Sequence, residues 1–182
     1  MPIGQHSLVS TDLFWDDLVL DNTVLKKIME IKKWLKESFH NDLKRIIKKS
    51  YQVLFIGAPG KGKTLTAALI GKEFNRPVYK IHLTKVISKY IDETEKNIKA
   101  IFTTAVNKDW ILFFDEADVL FRKRTTIKDA HDRYSNAEVS YLLQYMKEYN
   151  GLTILSTKVK DAIDKDVIDR FQSVVHFPCP FR

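Results

Sequence analysis

Gly57-Ala58-Pro59-Gly60-Lys61-Gly62-Lys63-Thr64 is the stretch that decides the reading of this chain. It satisfies the pattern G-x-x-x-x-G-K-[ST], in which small residues let the backbone curl until successive N–H groups point at one anion. The context agrees with the pattern. Val53-Leu54-Phe55-Ile56 is a short continuous apolar run just before it, as expected of a strand buried on both faces. A helix predicted over Thr64 to Phe74 follows, and its positive dipole end falls on the same spot. The residues expected to surround a nucleotide's phosphates are therefore Pro59, Gly60, Lys61, Gly62, Lys63, Thr64 and Leu65. Lys63 is expected to reach the β- and γ-phosphates, and the Thr64 hydroxyl to take a place on magnesium.

Working outward, strands and helices alternate. Strands are predicted at Val78 to Leu83, Trp110 to Phe114, Leu152 to Leu155 and Ser173 to Phe177. Helices are predicted over Glu93 to Ala105, Asn136 to Tyr149 and Asp161 to Phe171, with a charged loop near Arg122 to Lys128. Helical crossovers of this length imply a parallel sheet covered on both faces. The expectation is a P-loop NTPase fold: a three-layer α/β/α sandwich with a five-stranded parallel sheet and its ligand beyond the carboxyl ends of the strands. Upstream, Leu25, Ile28, Ile31, Leu35 and Phe39 recur at helical spacing, with Trp34 at the edge. A second short helix is predicted through Leu43, Ile46 and Ile47. Residues 1–12 read as a loose leader. The division expected is 1–22, a leader with an adenine-contacting segment, and 23–182, the nucleotide-binding core.

A second motif supplies acids. Ile111-Leu112-Phe113-Phe114 runs into Asp115-Glu116-Ala117-Asp118, a buried strand delivering carboxylates at its carboxyl end. Asp115 is placed to hold magnesium through water, and Glu116 to polarise an attacking water as general base.

Composition narrows the class. The 182 residues suffice for one domain, and 45% hydrophobic with 29% charged residues is ordinary for a globular protein. No apolar run approaches the roughly 20 residues of a membrane span. No secretory signal is visible, and the single cysteine, Cys179, cannot form an internal disulfide, so cytoplasm is the expected location. The five histidines show no metal-ligand spacing. Most of the net charge of +7 sits between Lys26 and Lys49, where nine basic residues face three acids. A basic helix face can bind phosphate backbones, but the segment lacks interleaved aromatics or a DNA-binding motif. The expected reading is a solvated outer face, and nucleic acid is not the expected partner.

The phosphate loop followed by Asp-Glu-Ala-Asp resembles the AAA+ ATPases, and further stretches are similar to the AAA subfamily proper, in particular to bacterial members. Some of those are linked to phage-tail-like contractile systems. Ser88-Lys89-Tyr90-Ile91-Asp92-Glu93-Thr94-Glu95 resembles the segment that places an aromatic residue in the central pore. Gly151 to Lys158 resembles the strand ending in the sensor 1 residue, and Asp169-Arg170-Phe171 sits where the family carries arginine fingers. Phe14 to Val19 resembles the segment whose backbone contacts adenine. The likeness covers about residues 13 to 180. It implies ATP and magnesium at the subunit boundaries of a hexameric ring. One subunit would supply Lys63, Thr64, Asp115 and Glu116, its neighbour Arg170, while Asp17 and Leu18 meet the base and Tyr90 and Ile91 grip a polypeptide. The implied activity is ATP hydrolysis that remodels a protein substrate or assembly.

Four features depart from the family. Lys158 stands at the sensor 1 position, commonly asparagine, and cannot accept a hydrogen bond from the lytic water. Asp92 replaces the third-position glycine of the pore segment, and Asp169 the first finger arginine. The chain stops at Arg182, where a small helical lid would begin. These departures keep two alternatives in view. One is a nucleotide-dependent structural switch with little hydrolysis; the other, resting on the basic helix, is a nucleic-acid-directed motor.

Overall fold

The computed structural model describes residues 6–39, 50–106, 108–121, 131–158 and 163–178. In chain order the elements are β1 (His6–Val9), α1 (Asn22–Phe39), β2 (Tyr51–Ile56), α2 (Lys63–Glu73), β3 (Val78–His82), α3 (Leu83–Val86) and α4 (Ile91–Ala105). Then come β4 (Ile111–Asp115), α5 (Asp118–Phe121), α6 (His131–Glu148), β5 (Leu152–Thr157), α7 (Lys165–Ile168) and β6 (Ser173–His176).

Six strands form one sheet in the order β1-β3-β4-β5-β2-β6. Five are parallel, as the alternating pattern implies. The sixth corrects the sequence reading: part of the segment read as a loose leader is β1, which pairs antiparallel with β3, His6 opposite Ile81 and Val9 opposite Val78. His6-Ser7-Leu8-Val9 shows neither a clear alternation nor a continuous apolar run by which to announce itself.

Because successive side chains leave a strand on opposite faces, each apolar strand feeds two cores. On one face Val53, Phe55, Phe113 and Ile154 pack with Val24, Ile28, Ile31 and Leu35 of α1 and with Ala67 and Ile70 of α2. On the other, Leu54, Ile81, Leu112, Phe114 and Leu155 pack with Ile98, Ile101 and Phe102 of α4 and with Leu142, Leu143 and Met146 of α6. The result is the three-layer α/β/α sandwich. The inner stripe of α1 begins at Val24, 1% exposed, whereas Leu25 faces outward at 39%. The helix expected over 161–171 is only the single turn of α7, and α6 starts earlier than expected, at His131. The short helix near 43–47 and the charged loop near 122–128 lie outside the described residues.

The segment before α1 is bolted to the far end of α2. Lys72 Nζ donates to Asp12 O and Leu13 O at 3.2 and 2.9 Å. Trp15 Nε1 donates to Glu73 at 2.8 Å, and Lys32 pairs with the same carboxylate at 2.6 Å while lying over the Trp15 ring. Among the described residues no helix is long and apolar enough to cross a membrane.

Candidate active site

The site is assembled by strand order. β2 lies between β5 and β6, and β4 lies beside β5, so three parallel strands release their carboxyl ends side by side. Ile56, the last residue of β2, is opposite Thr157, and Phe114 is opposite Leu155, which sets Asp115 next to the end of β5. Between β2 and α2 the chain turns back through Gly62, whose φ of +88° suits glycine; an added Cβ would also meet Leu18 Cδ1 at 2.9 Å.

The loop and the strand ends enclose a cavity of about 530 Å³. Pro59, Gly60, Gly62, Lys63, Thr64 and Leu65 line one side; Asp115, Glu116 and Lys158 line the other, joined by Lys80, Asp118, Ser156 and Thr157. Lys61 is half-buried and outside this lining. Asp17 and Leu18 are outside it too. Leu18 abuts Gly62, and the Asp17 carboxylate accepts the Phe14 N–H at 2.8 Å. Arg170 is exposed just after α7, and this chain does not bring it to its own cavity. Tyr90, immediately before α4, is 73% exposed, with Ile91 half-buried beside it.

Lys63 is 9% exposed, and its ammonium donates to Gly57 O at 2.5 Å and Ala58 O at 2.9 Å. Burial pulls its pKa below the usual lysine value, against the opposing pull of Asp115 and Asp118. Burial pushes Asp115 the other way, toward its neutral form. The Lys80 ammonium at 2.8 Å from Oδ2 and the Glu116 N–H at 2.9 Å from Oδ1 outweigh it and hold the carboxyl below its usual range. Glu116 has left-handed backbone, φ +62°, and its Oε2 accepts from Thr84 Oγ1 at 2.8 Å with His82 Nδ1 at 3.9 Å.

Lys158 follows directly on β5, at the position that resembles sensor 1. It does line the cavity, but the lysine paired with Asp115 is Lys80 of β3. What is held firmly at position 158 is its backbone: Asp118 Oδ1 accepts both Lys158 N–H and Thr157 Oγ1 at 2.9 Å. Sequence reasoning missed Lys80, Thr84 and Asp118. A signal existed for the first, since Val78-Tyr79-Lys80-Ile81-His82 places a lone cation inside a covered strand, where a charge needs a partner.

Fold and loop together define a P-loop nucleotide-binding domain of the doubly wound α/β class. The chain belongs to the AAA family: the model described as "ATPase family associated with various cellular activities (AAA)" matches residues 53–179. It is 32% identical over 129 residues to an uncharacterized AAA family ATPase of Sinorhizobium fredii, covering 71% of this chain and 39% of that protein. It is 29% identical over 134 residues to spastin of Sus scrofa, covering 70% of this chain and 21% of spastin. Among solved structures, the FIGL-1 AAA domain superposes with a TM-score of 0.71 at 22% identity, over 98% of this chain and 59% of that one. The chain thus spans less than two thirds of each of these relatives. AAA proteins are ATPases that bind ATP, and the nucleotide-binding region is what is shared.

Proposed function

We propose that this chain is the ATP-hydrolysing core of a cytoplasmic machine that remodels a protein substrate or assembly, working as one subunit of a hexameric ring. The observation that carries the reading is the convergence of Lys63, Thr64, Asp115 and Glu116 on one cavity at the carboxyl ends of the strands. In this reading Lys63 exchanges the carbonyls of Gly57 and Ala58 for the β- and γ-phosphates, and the N–H groups of the loop cradle the same charge. The Thr64 hydroxyl and Asp115 carboxylate are hard oxygen donors in one cavity, which suits magnesium. Once bound, the ion would neutralise charge on the transferring phosphoryl group. Glu116 orients the attacking water and accepts its proton. Arg170 serves the neighbouring subunit's phosphate, Asp17 and Leu18 meet the adenine, and Tyr90 and Ile91 contact substrate in the pore.

Glu116→Gln tests the reading. It should leave ATP bound while lowering steady-state turnover by about 10²-fold or more. Equal turnover in variant and parent would remove Glu116 from the role of base. Stimulation by protein, and not by DNA, separates remodelling from a nucleic-acid-directed motor. A structural switch with little hydrolysis is favoured by one observation: the Glu116 carboxylate is tied to Thr84 Oγ1 at 2.8 Å. Under that reading ATP binds and changes assembly, while turnover is already negligible in the parent.

A further inference from the structure

Lys80 has no part in the reading above, yet it makes the closest ionic contact in the cavity. Residues 80 and 82 share a face of β3, and His82 is the residue opposite Asp115. From two positions back, the Lys80 stem runs along the sheet toward the strand ends, and Nζ stops 2.8 Å from Asp115 Oδ2. Both side chains are about four-fifths covered, with exposures of 21% and 20%, so solvent screens the pair less than a surface ion pair. The other Asp115 oxygen accepts the Glu116 N–H. Both oxygens are therefore occupied by this chain's own donors, one of them a full cation.

The cavity is balanced in charge. Lys63, Lys80 and Lys158 line it together with Asp115, Glu116 and Asp118. A divalent ion held by Asp115, through water as expected above, competes with Lys80 for a carboxylate whose two oxygens already have donors, and the two cations repel one another across it. A freed ammonium on a flexible four-carbon stem then has the incoming phosphates as its nearest uncompensated anions.

We propose that Lys80 is an exchangeable counter-cation for the Asp115 carboxylate: it occupies the oxygen that magnesium claims, and transfers to the nucleotide's phosphates. This rests on the ATP-binding reading above. It makes Lys80 a residue that sets how strongly nucleotide binding depends on magnesium. With Lys80 present, ATP binds appreciably without the metal, and the metal adds little because it must displace a cation. With Lys80 absent, metal-free binding weakens and magnesium binding tightens.

The measurement is the dissociation constant of a fluorescent ATP analogue in excess magnesium and in EDTA, for the full chain and for Lys80→Met, Lys80→Gln and Lys80→Arg. Loss of one charged contact predicts that the constant in EDTA divided by the constant in magnesium rises at least about tenfold in Lys80→Met and Lys80→Gln. The magnesium concentration at half effect should fall in both, and Lys80→Arg should keep the parental ratio. A merely structural ion pair would shift both constants equally, so an unchanged ratio overturns the proposal. So does failure of both neutral variants to fold, which would make the pair structural. A parent that binds ATP in neither condition would defeat the ATP-binding reading and this one with it; binding with an unchanged ratio defeats only this one.

Discussion

Replacing Lys63 by methionine separates folding from ligand binding at one side chain. The ammonium makes two hydrogen bonds to loop carbonyls while almost wholly covered. A hydrogen bond from a charged group contributes about 1.5–3 kcal/mol net where the group's desolvation is otherwise small. Against that, an ammonium withdrawn from water costs several kcal/mol, and burial is the largest influence on this lysine. Methionine keeps the apolar stem and removes both effects. The net change in stability should therefore stay within about 1 kcal/mol, a shift of only about 2–4 °C in Tm for a domain of this size. Binding has no such offset. The phosphates lose charge-assisted contacts amounting to about 3 kcal/mol, roughly a hundredfold in Kd. Thermal unfolding and titration with a fluorescent ATP analogue give both numbers from one preparation. An unfolded variant would show that the lysine is a structural staple. Affinity equal to the parent's would refute the assignment of the loop.

In rings whose assembly has been verified, Lys158→Asn should raise turnover, because an amide can accept a hydrogen bond where an ammonium only donates; brisk, equal hydrolysis by both forms would make the lysine a harmless substitution. Gly57→Ala places a Cβ 2.6 Å from Phe177 O and 2.8 Å from Phe177 Cβ, where Phe177 N–H bonds Ile56 O at 2.7 Å. Prying β6 from β2 in this way should cost about 1–3 kcal/mol and lower Tm by several degrees, and an unchanged melting curve would contradict the close approach. Tyr149, 6% exposed, donates its hydroxyl to Trp110 O at 2.8 Å, and burial pushes its pKa well above 10.0. Tyr149→Phe should cost about 1 kcal/mol near neutrality. The folded pKa is raised, so the tyrosine's contribution is complete below the unfolded value and is lost as pH rises toward the folded one. Denaturant titrations at pH 8 and near pH 11 should therefore show the gap between variant and parent narrowing in alkali; a constant gap would mean the phenol ionises freely in the fold.

The phosphate loop and the strand ending in Asp115-Glu116 were legible because their chemistry is local: a turn geometry needing glycine, and an apolar run stopped by acids. Five strands were legible because each carries an apolar core between turn or helix signals. β1 was not, since His6-Ser7-Leu8-Val9 has no pattern of its own and gains its meaning only from the neighbouring edge of β3. The inner face of α1 was misjudged by one residue, Leu25 for Val24, because either fits the same spacing and only the sheet beneath decides. The partners of Lys80, Thr84 and Asp118 were hidden for a third reason. Each matters through a partner between 32 and 40 residues away, Asp115, Glu116 and Thr157 among them, and strand register rather than sequence sets those distances.

The place of β2 in the sheet governs when the site comes into being. The strand that carries the phosphate loop is flanked by β5 and β6, Val53 meeting Ile154 on one side and Ser173 on the other. Both neighbours are made roughly a hundred residues later, so the loop's seat depends on contacts of high sequence separation, the slowest kind to close. While the chain is being synthesised, β2 has neither flank, and Gly57 lacks Thr157 O as its acceptor. Nucleotide stabilises only the state that binds it. ATP therefore cannot rescue a half-made domain; it can only reward a finished one, and the appearance of nucleotide affinity during refolding should coincide with the docking of β6.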